Sequence, residues 1–482
     1  MVSSFKRIKF GANNAEKEES FYPELLVSGY VDIRNIDSLA KGSPEFLVLG
    51  YKGSGKSSLA FRHELISREK YDEFSTIINL GNFPYTLINR IVKGDIEPES
   101  KLPIAWSIII GIKILDSLNE NESVKNKDGI SSILNYLSQS GIPSTATIDQ
   151  ITKKLAKKTF KLSNNNIGGY ETSYELNEIS EIPSLNDFIL KTINETKFDG
   201  SHTIFIDGMD DILTKREAQY QSLGMLVYQC EKLNLSFKKN NKNIKIIVLC
   251  RTDLFERFHG ANKNKIKQGF SYQFDWYVEP GDYENSKLIE AANLRAKISL
   301  DREVDVFKEF FPTSLGSGHK SPEEFLLDTT RHTPRDFLTL LNYIQDQTKG
   351  DNPTRDEIYD AIRHYSEDYF VPEIKDELFG YASSNQIEEL IDALSKLGQR
   401  EFKLDELLEI TRSTGIISDD ECIDILYTLY QCSALGNVEI INGKSFFKFK
   451  YRNKYSAFER NKKILLHRGL WRALRLAGRE LR

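Results

Sequence analysis

An α/β fold with a mostly parallel sheet is what this sequence predicts, and three features predict it. Short apolar runs alternate with helical stretches. The first run feeds at once into a glycine-rich loop that opens a helix, and a later run ends on a cluster of aspartates. Parallel strands need long crossovers, and the helices that supply them cover both faces of the sheet.

The first run, Phe46-Leu47-Val48-Leu49, reads as a buried strand, and Ser58-Leu59-Ala60-Phe61 reads as the start of a helix. Between them lies Gly50-Tyr51-Lys52-Gly53-Ser54-Gly55-Lys56-Ser57, an unbroken G-x-x-x-x-G-K-[ST] loop. Glycines let such a backbone curl until its N–H groups face phosphates at a helix N-terminus. Gly50, Tyr51, Lys52, Gly53, Ser54, Gly55, Lys56, Ser57 and Ser58 are therefore the candidate phosphate-binding residues. Lys56 would reach the β- and γ-phosphates, and the Ser57 hydroxyl would ligate Mg²⁺. ATP and Mg²⁺ are the expected ligands.

Residues 74–80, 203–206, 244–250 and 270–274 supply four more strands, enough for a minimal sheet of the P-loop type. Hydrolysis needs a metal, an in-line water and positive charge against the γ-phosphate. The strand 203–206 ends in Asp207-Gly208-Met209-Asp210-Asp211. Asp207 is placed to hold Mg²⁺ through its water shell, and Asp210 or Asp211 to orient or deprotonate the attacking water. Arg251 leaves the end of the next strand, where a guanidinium can touch the γ-phosphate. Arg335, in Thr333-Pro334-Arg335-Asp336-Phe337, opens a helix whose proline suits the first turn, and it would fold back onto the nucleotide. Arg257 follows the Arg251 strand, a position suited to a finger aimed at a neighbouring subunit.

Composition sets the wider limits. At 482 residues the chain is long enough for about three domains. Hydrophobic residues at 40% and charged residues at 28% describe an ordinary globular protein. A net charge of −5 argues against a surface that is basic throughout and so against a general nucleic-acid binder. Cys230, Cys250, Cys422 and Cys432 are scattered, as structural thiols in a reducing compartment would be. The most apolar stretch, 102–112, is interrupted by Lys113 and falls short of the ~20 residues a bilayer needs, so no membrane span is expected. Residues 1–10 lack the apolar run of a secretion signal, and a cytoplasmic location is the expectation.

Four regions follow along the chain. Residues 1–24 form an N-terminal arm. Residues 25–280 form the P-loop core, with an insertion at about 84–183. The insertion holds the apolar helix after Leu102, a polar link at 119–128, and a hairpin pairing 159–162 with 170–174. Residues 281–380 form a helical lid (286–298, 322–330, 334–347) and a connector (360–378). Residues 386–482 give helices at 387–397, 404–411 and 419–432, then a hairpin pairing 438–441 with 445–449. Asn442-Gly443 suits its type I′ turn, and Ser418-x-x-Glu421 is a capping box for the third helix. That order is a winged-helix arrangement with a basic C-terminal tail.

The third helix of a winged helix often reads DNA, but this one carries Asp419, Asp420, Glu421 and Asp424 near its start, which phosphates would repel. A protein contact is the better expectation for it. From Lys448 to Arg482 there are twelve Lys or Arg against Glu459 and Glu480, a net of +10, interleaved with aromatic residues. Such a tail suits DNA by charge and stacking, or an amphipathic terminal helix with Ile464, Leu465, Leu470, Trp471 and Leu474 inward.

Taken together, the Gly50 loop, the Ile-Asp-Gly-Met-Asp-Asp run, the strand ending Cys-Arg-Thr-Asp and the Thr-Pro-Arg-Asp-Phe-Leu segment resemble the ATPases of the AAA+ and STAND groups. The likeness is greatest to stand-alone bacterial P-loop ATPases with a C-terminal winged helix. The resemblance implies a sheet in which the Arg251 strand lies between the P-loop strand and the Asp207 strand. It implies an ATP-driven regulated switch, often a homo-oligomer, with a protein partner or effector, and several such proteins act in bacterial antiphage defence. Two departures stand out: aspartate where the group commonly uses a catalytic glutamate, and the large insertion before Asp207. They leave two alternatives open, a nucleotide-gated protein-binding switch with little hydrolysis and a DNA-associated ATPase.

Overall fold

The computed structural model describes residues 5–93, 97–157, 181–209, 217–258, 262–279, 281–315 and 321–476. Strands β1 (Leu47–Gly50), β2 (Glu73–Asn79), β3 (Ser201–Asp207), β4 (Ile244–Arg251) and β5 (Ser271–Phe274) form one parallel sheet. Its order is β2-β3-β4-β1-β5. All five expected strands are present, and β4, which carries Arg251, lies between β1 and β3 as the resemblance implied.

Side chains alternate across this sheet and build two cores. Val48, Phe205, Ile247 and Leu249 face one, shared with Leu59 and Ala60 of the helix Lys56–Arg68 and with the lid. Leu47, Leu49, Ile204, Ile206 and Val248 face the other, shared with the helices Pro98–Glu120, Ile182–Glu195 and Glu217–Lys239. Both faces are thus covered, which is why β1 and the middle stretches of β3 and β4 are buried without alternation, while the edge strands β2 and β5 keep polar residues.

Pro98–Glu120 is longer than the apolar stretch suggested. Lys113 does not interrupt it, because its ammonium pairs with Asp116 at 3.0 Å one turn on. With 23 residues this helix is long and apolar enough to cross a membrane by length and composition, yet 72% of its apolar window is buried inside the protein. Trp106 anchors it by donating to the Ser222 carbonyl at 2.9 Å. The hairpin expected over 159–174 lies outside the described residues.

The segment expected as a lid holds the helices Lys287–Leu300, Val306–Phe310, Pro322–Thr329 and Pro334–Gln347. Its connector is helical from Arg355 to Leu378, with a π-helical turn at Tyr365–Phe370. Helices Ser384–Leu397, Leu404–Thr414 and Asp419–Gln431 follow. The expected capping box at Ser418 is formed. So is the hairpin of β7 (Leu435–Ile441) and β8 (Lys444–Lys448), with Asn442 and Gly443 both at positive φ in its turn.

Two further strands, β6 (Glu401–Phe402) and β9 (Lys463–Leu466), complete an antiparallel sheet of order β6-β9-β7-β8. This corrects the expected amphipathic terminal helix. Ile464 and Leu465 do point inward, as do Leu470 and Leu474, but the first two sit on a central strand and not on a helix. A three-residue apolar run carries no periodicity to separate the two, and here a partner on each edge makes the strand.

Candidate nucleotide-binding site

The cleft forms where β1, β3 and β2 end at the same edge of the sheet. Gly50 closes β1, and a Cβ there would stand 2.4 Å from Ser54 Oγ and 2.9 Å from Phe274 Cβ, so only glycine lets the loop turn. Gly53 and Gly55 carry positive φ, at 79° and 94°. Gly55 caps the helix Lys56–Arg68 with no side-chain hydrogen bond, so the first-turn N–H groups are left to an external acceptor. Trp276 braces the loop from outside by donating to the Ser54 carbonyl at 2.8 Å. Ser54 Oγ itself is buried without a hydrogen-bond partner.

Lys56 is buried and folds back on the loop, donating to the carbonyls of Gly50 at 3.2 Å and Tyr51 at 3.1 Å. Ser57 donates to the Asp207 carboxylate, and the Gly208 N–H does so at 2.8 Å. Burial pushes the Asp207 carboxyl above its usual range, while these two donors and the Lys56 charge pull the other way. A half-buried carboxylate beside a serine hydroxyl at the mouth of the cleft is a donor set that fits Mg²⁺. The uncapped helix start and the buried lysine fit phosphates in the same way.

A cavity of about 280 Å³ opens over these groups, lined by the loop from Lys52 to Ser58 and by Asp207 and Gly208. Sequence reasoning missed the rest of its wall. Asn79 closes β2 directly opposite Asp207 in the register, a placement that parallel strands ending together would have given. Residues 12–16 and Glu18 of the N-terminal arm form another side. Arg295 of the lid holds that arm, donating to the Phe10 carbonyl and the Glu18 carboxylate, each at 2.5 Å. No local pattern announces a contact across 277 positions.

Arg335 lies at the cleft. Its N–H donates to the Gly53 carbonyl at 3.2 Å, and its side chain lines the cavity. Glu373 on the connector helix Val371–Leu378 lies 3.0 Å from Lys52 Nζ and 3.4 Å from Arg335 Nη1, tying loop, lid and connector together.

Arg251 is placed differently. It stands beside Gly50 in the register, but its guanidinium turns into a buried ionic cluster and does not line the cavity. It donates to Asp253 at 2.9 and 2.8 Å and to Glu377 at 2.5 Å. Glu377 also lies 3.6 Å from Arg331, which is held by Asp336 at 2.8 and 3.0 Å. Burial raises the Asp336 carboxyl, but the Arg331 charge and its hydrogen bonds more than offset this and hold it below the usual range. Arg257 packs over the Tyr381 ring at 4.3 Å, and it too is absent from the cavity wall. Asp210 and Asp211 lie outside the described residues. Among the described residues no cluster of three or more His, Cys, Asp and Glu forms a metal site of its own.

No protein-family model matches the chain, and no curated protein matches it in sequence. Solved structures do match in outline. A Walker-type ATPase of Pyrococcus abyssi aligns with 87% of this chain and 92% of its own, at 12% identity and a TM-score of 0.38. The Aeropyrum pernix ORC1 protein, solved in complex with DNA, aligns over 95% and 91% at 13% identity and a TM-score of 0.40. The Thermotoga maritima RuvB Holliday junction branch migration motor aligns over 94% and 100% at 12% identity and a TM-score of 0.31. Superpositions this loose leave the fold to be read from the chain itself. A parallel sheet of order β2-β3-β4-β1-β5, with the G-x-x-x-x-G-K-[ST] loop between β1 and its helix, is the α/β fold of a P-loop NTPase.

Proposed function

We propose that this protein is a Mg²⁺-dependent ATPase of AAA+/STAND type that works as a regulated cytoplasmic switch. The observation that carries the reading is the hydrogen bond from Ser57 to the half-buried Asp207, next to Lys56, in one cleft at the ends of β1 and β3. In this reading the loop N–H groups and Lys56 hold the triphosphate, and Ser57 and Asp207 hold Mg²⁺. The metal would supply charge neutralisation on the phosphate oxygens. Asp210 or Asp211 positions or deprotonates the attacking water. Arg335 approaches from the lid, and Arg251 answers the γ-phosphate by leaving its ionic cluster. Because that cluster ends on the connector helix, the movement of Arg251 is the link between nucleotide state and the C-terminal region.

The C-terminal helices and hairpin are read here as a winged helix that meets a protein partner or effector, and two observations favour protein over DNA. Several basic residues of the tail are already neutralised: Lys448 and Lys462 each lie 2.6 Å from Glu439, and Arg452 lies 3.1 Å from Asp328. The hairpin tip instead exposes Ile440, Ile441, Phe446 and Phe447. Homo-oligomerisation and a role in antiphage defence rest on the family resemblance.

The deciding experiment is Mg²⁺-dependent ATP turnover by the purified protein beside Lys56→Ala. Turnover in the natural chain that the variant loses is the expected result. Absence of both ATP binding and turnover in the natural chain would overturn the proposal, whereas tight binding without turnover would favour the nucleotide-gated alternative.

A further inference from the structure

The C-terminal sheet ends in an open edge. In its order β6-β9-β7-β8 the last strand, β8, has a neighbour on one side only. The two-residue turn Asn442-Gly443 makes Ile441 and Lys444 a hydrogen-bonded pair, and bonded pairs alternate with non-bonded ones along a hairpin. Glu439 and Phe446 are therefore the next bonded pair, while Ser445 and Phe447 turn their N–H and C=O groups away from β7. Residues 444–447 are all exposed. Edge strands are commonly protected by a proline, a bulge or charge, and Ser445-Phe446-Phe447 has none of these.

The side chains around that edge are apolar. Ile440, Ile441, Phe446 and Phe447 are four of the eleven exposed large apolar side chains among the described residues, and they fall within eight positions. Residues opposite each other in the register share a face, so Ile440 and Phe447 lie on one side of the ribbon and Ile441 and Phe446 on the other. The first face continues into the cluster of Val438, Phe449, Tyr451 and Leu465. The charges nearby cancel, because Lys448 and Lys462 are set against Glu439 and Glu459 in one network. Of the two charges on β8, only Lys444 then adds to the edge. One charge is too little to select nucleic acid or an acidic peptide. Outward backbone groups and aromatic side chains are matched best by the same strand running the other way.

We propose that β8 pairs with β8 of a second copy of this chain, antiparallel about a two-fold axis through Phe446. This rests on the reading of the hairpin as a protein-binding surface, and it names the protein. Phe446 is the middle residue of β8, so this axis gives full overlap of the two strands. Ser445 exchanges both backbone hydrogen bonds with Phe447 of the partner subunit, and the axis repeats the exchange. Phe446 meets Phe446 of the partner subunit across a non-bonded pair, where side chains approach most closely. Lys444 falls opposite the partner subunit's Lys448, whose charge Glu439 already offsets. The contact is isologous and closes at two copies, joining the two sheets into one. A single strand pair buries less than the ~800 Å² per partner of a stable complex, so the dimer is weak and forms as concentration rises.

The test is sedimentation velocity of the full chain over roughly 1–100 µM, without nucleotide, so its outcome is independent of the ATPase reading. A monomer–dimer equilibrium with a dissociation constant in that range is expected. Phe446→Lys and Phe446→Glu each set like charges face to face on the axis and should weaken the dimer about a hundredfold. An equal mixture of the two variants should dimerise again, because residue 446 faces only its own counterpart, and this rescue shows that both are folded. Ser445→Pro, which removes one outward N–H per copy and no bond to β7, should weaken the dimer about tenfold. The proposal is overturned if the natural chain stays monomeric at about 100 µM, if either Phe446 variant dimerises as the natural chain does, or if the mixture stays monomeric. Anisotropy with a fluorescein-labelled DNA duplex tests the underlying reading separately: salt-sensitive binding that Phe446→Glu abolishes would overturn the protein-binding surface itself.

Discussion

Replacing Glu377 by glutamine tests the link between nucleotide and C-terminal region, because that one side chain touches both arginines of the buried cluster. Glu377 is 2% exposed, and its Oε2 accepts from Arg251 at 2.5 Å while its Oε1 lies 3.6 Å from Arg331. The cluster holds two cations, Arg251 and Arg331, against three carboxylates, Asp253, Asp336 and Glu377. Glutamine removes the surplus negative charge and leaves each arginine its own two-bond aspartate. A hydrogen bond to a charged group contributes roughly 1.5–3 kcal/mol and a neutral one roughly 0.5–1.5, so the substitution should cost about 1–1.5 kcal/mol of stability. That is well below the roughly 3–5 kcal/mol expected when a buried charge loses its principal partner, as in Asp336→Asn. The same 1–1.5 kcal/mol no longer holds Arg251 away from the cleft, which makes its release about tenfold easier. Only ATP has the γ-phosphate that Arg251 would answer. In a competition assay against a fluorescent ADP analogue, Glu377→Gln should therefore tighten ATP about tenfold and leave ADP unchanged. Arg251→Ala should erase the preference. Equal effects on ATP and ADP, or none on either, would refute the coupling through Glu377.

Two further outcomes follow from the same geometry. His202, His332 and His467 are buried, and burial lowers their pKa values from 6.5 to about 4, about 3 and about 3, with nearby arginines adding to the effect at the last two. The unfolded chain takes up three protons below pH 6.5 that the folded chain refuses until pH 4 or 3, so stability falls as the pH drops through that window. At pH 5.5 the loss is about 4 kcal/mol relative to pH 7.5, at about 1.4 kcal/mol per histidine per unit. A urea midpoint that stays level between these two pH values would contradict it. Gly53→Ala places a Cβ 2.9 Å from Arg335 Cβ at a φ of +79°. Backbone strain of about 1–2 kcal/mol and a displaced lid helix should weaken ATP about tenfold or more, and an unchanged dissociation constant would show that the lid does not close on the loop.

Much of the fold was legible because its signals are local. The strand–loop–helix run from Phe46 to Phe61 is contiguous, and so are the apolar strands at 203–206 and 244–250, the Ser418 box and the Asn442-Gly443 turn. What the sequence hid depends on contacts between distant residues. Glu373 and Glu377 lie in the stretch expected only as a connector, and neither has a local partner that would mark it. Their roles appear only when the connector lies against Lys52, Arg335 and Arg251. Asn79 closes a strand whose burial pattern gives no hint of its end, and β9 is too short for its periodicity to be told from a helix. Arg251 was legible in position but not in orientation, because the direction of a long side chain is set by which carboxylates surround it.

The N-terminal arm has a consequence for biogenesis. One wall of the nucleotide cleft is made by residues 12–16 and Glu18, yet Arg295, which secures them, is synthesised 277 residues later than Glu18. A ribosome-bound chain that has already produced the phosphate loop still lacks the residue that closes the cleft above it. The cleft wall on that side can therefore form only after the helix Lys287–Leu300 has been made.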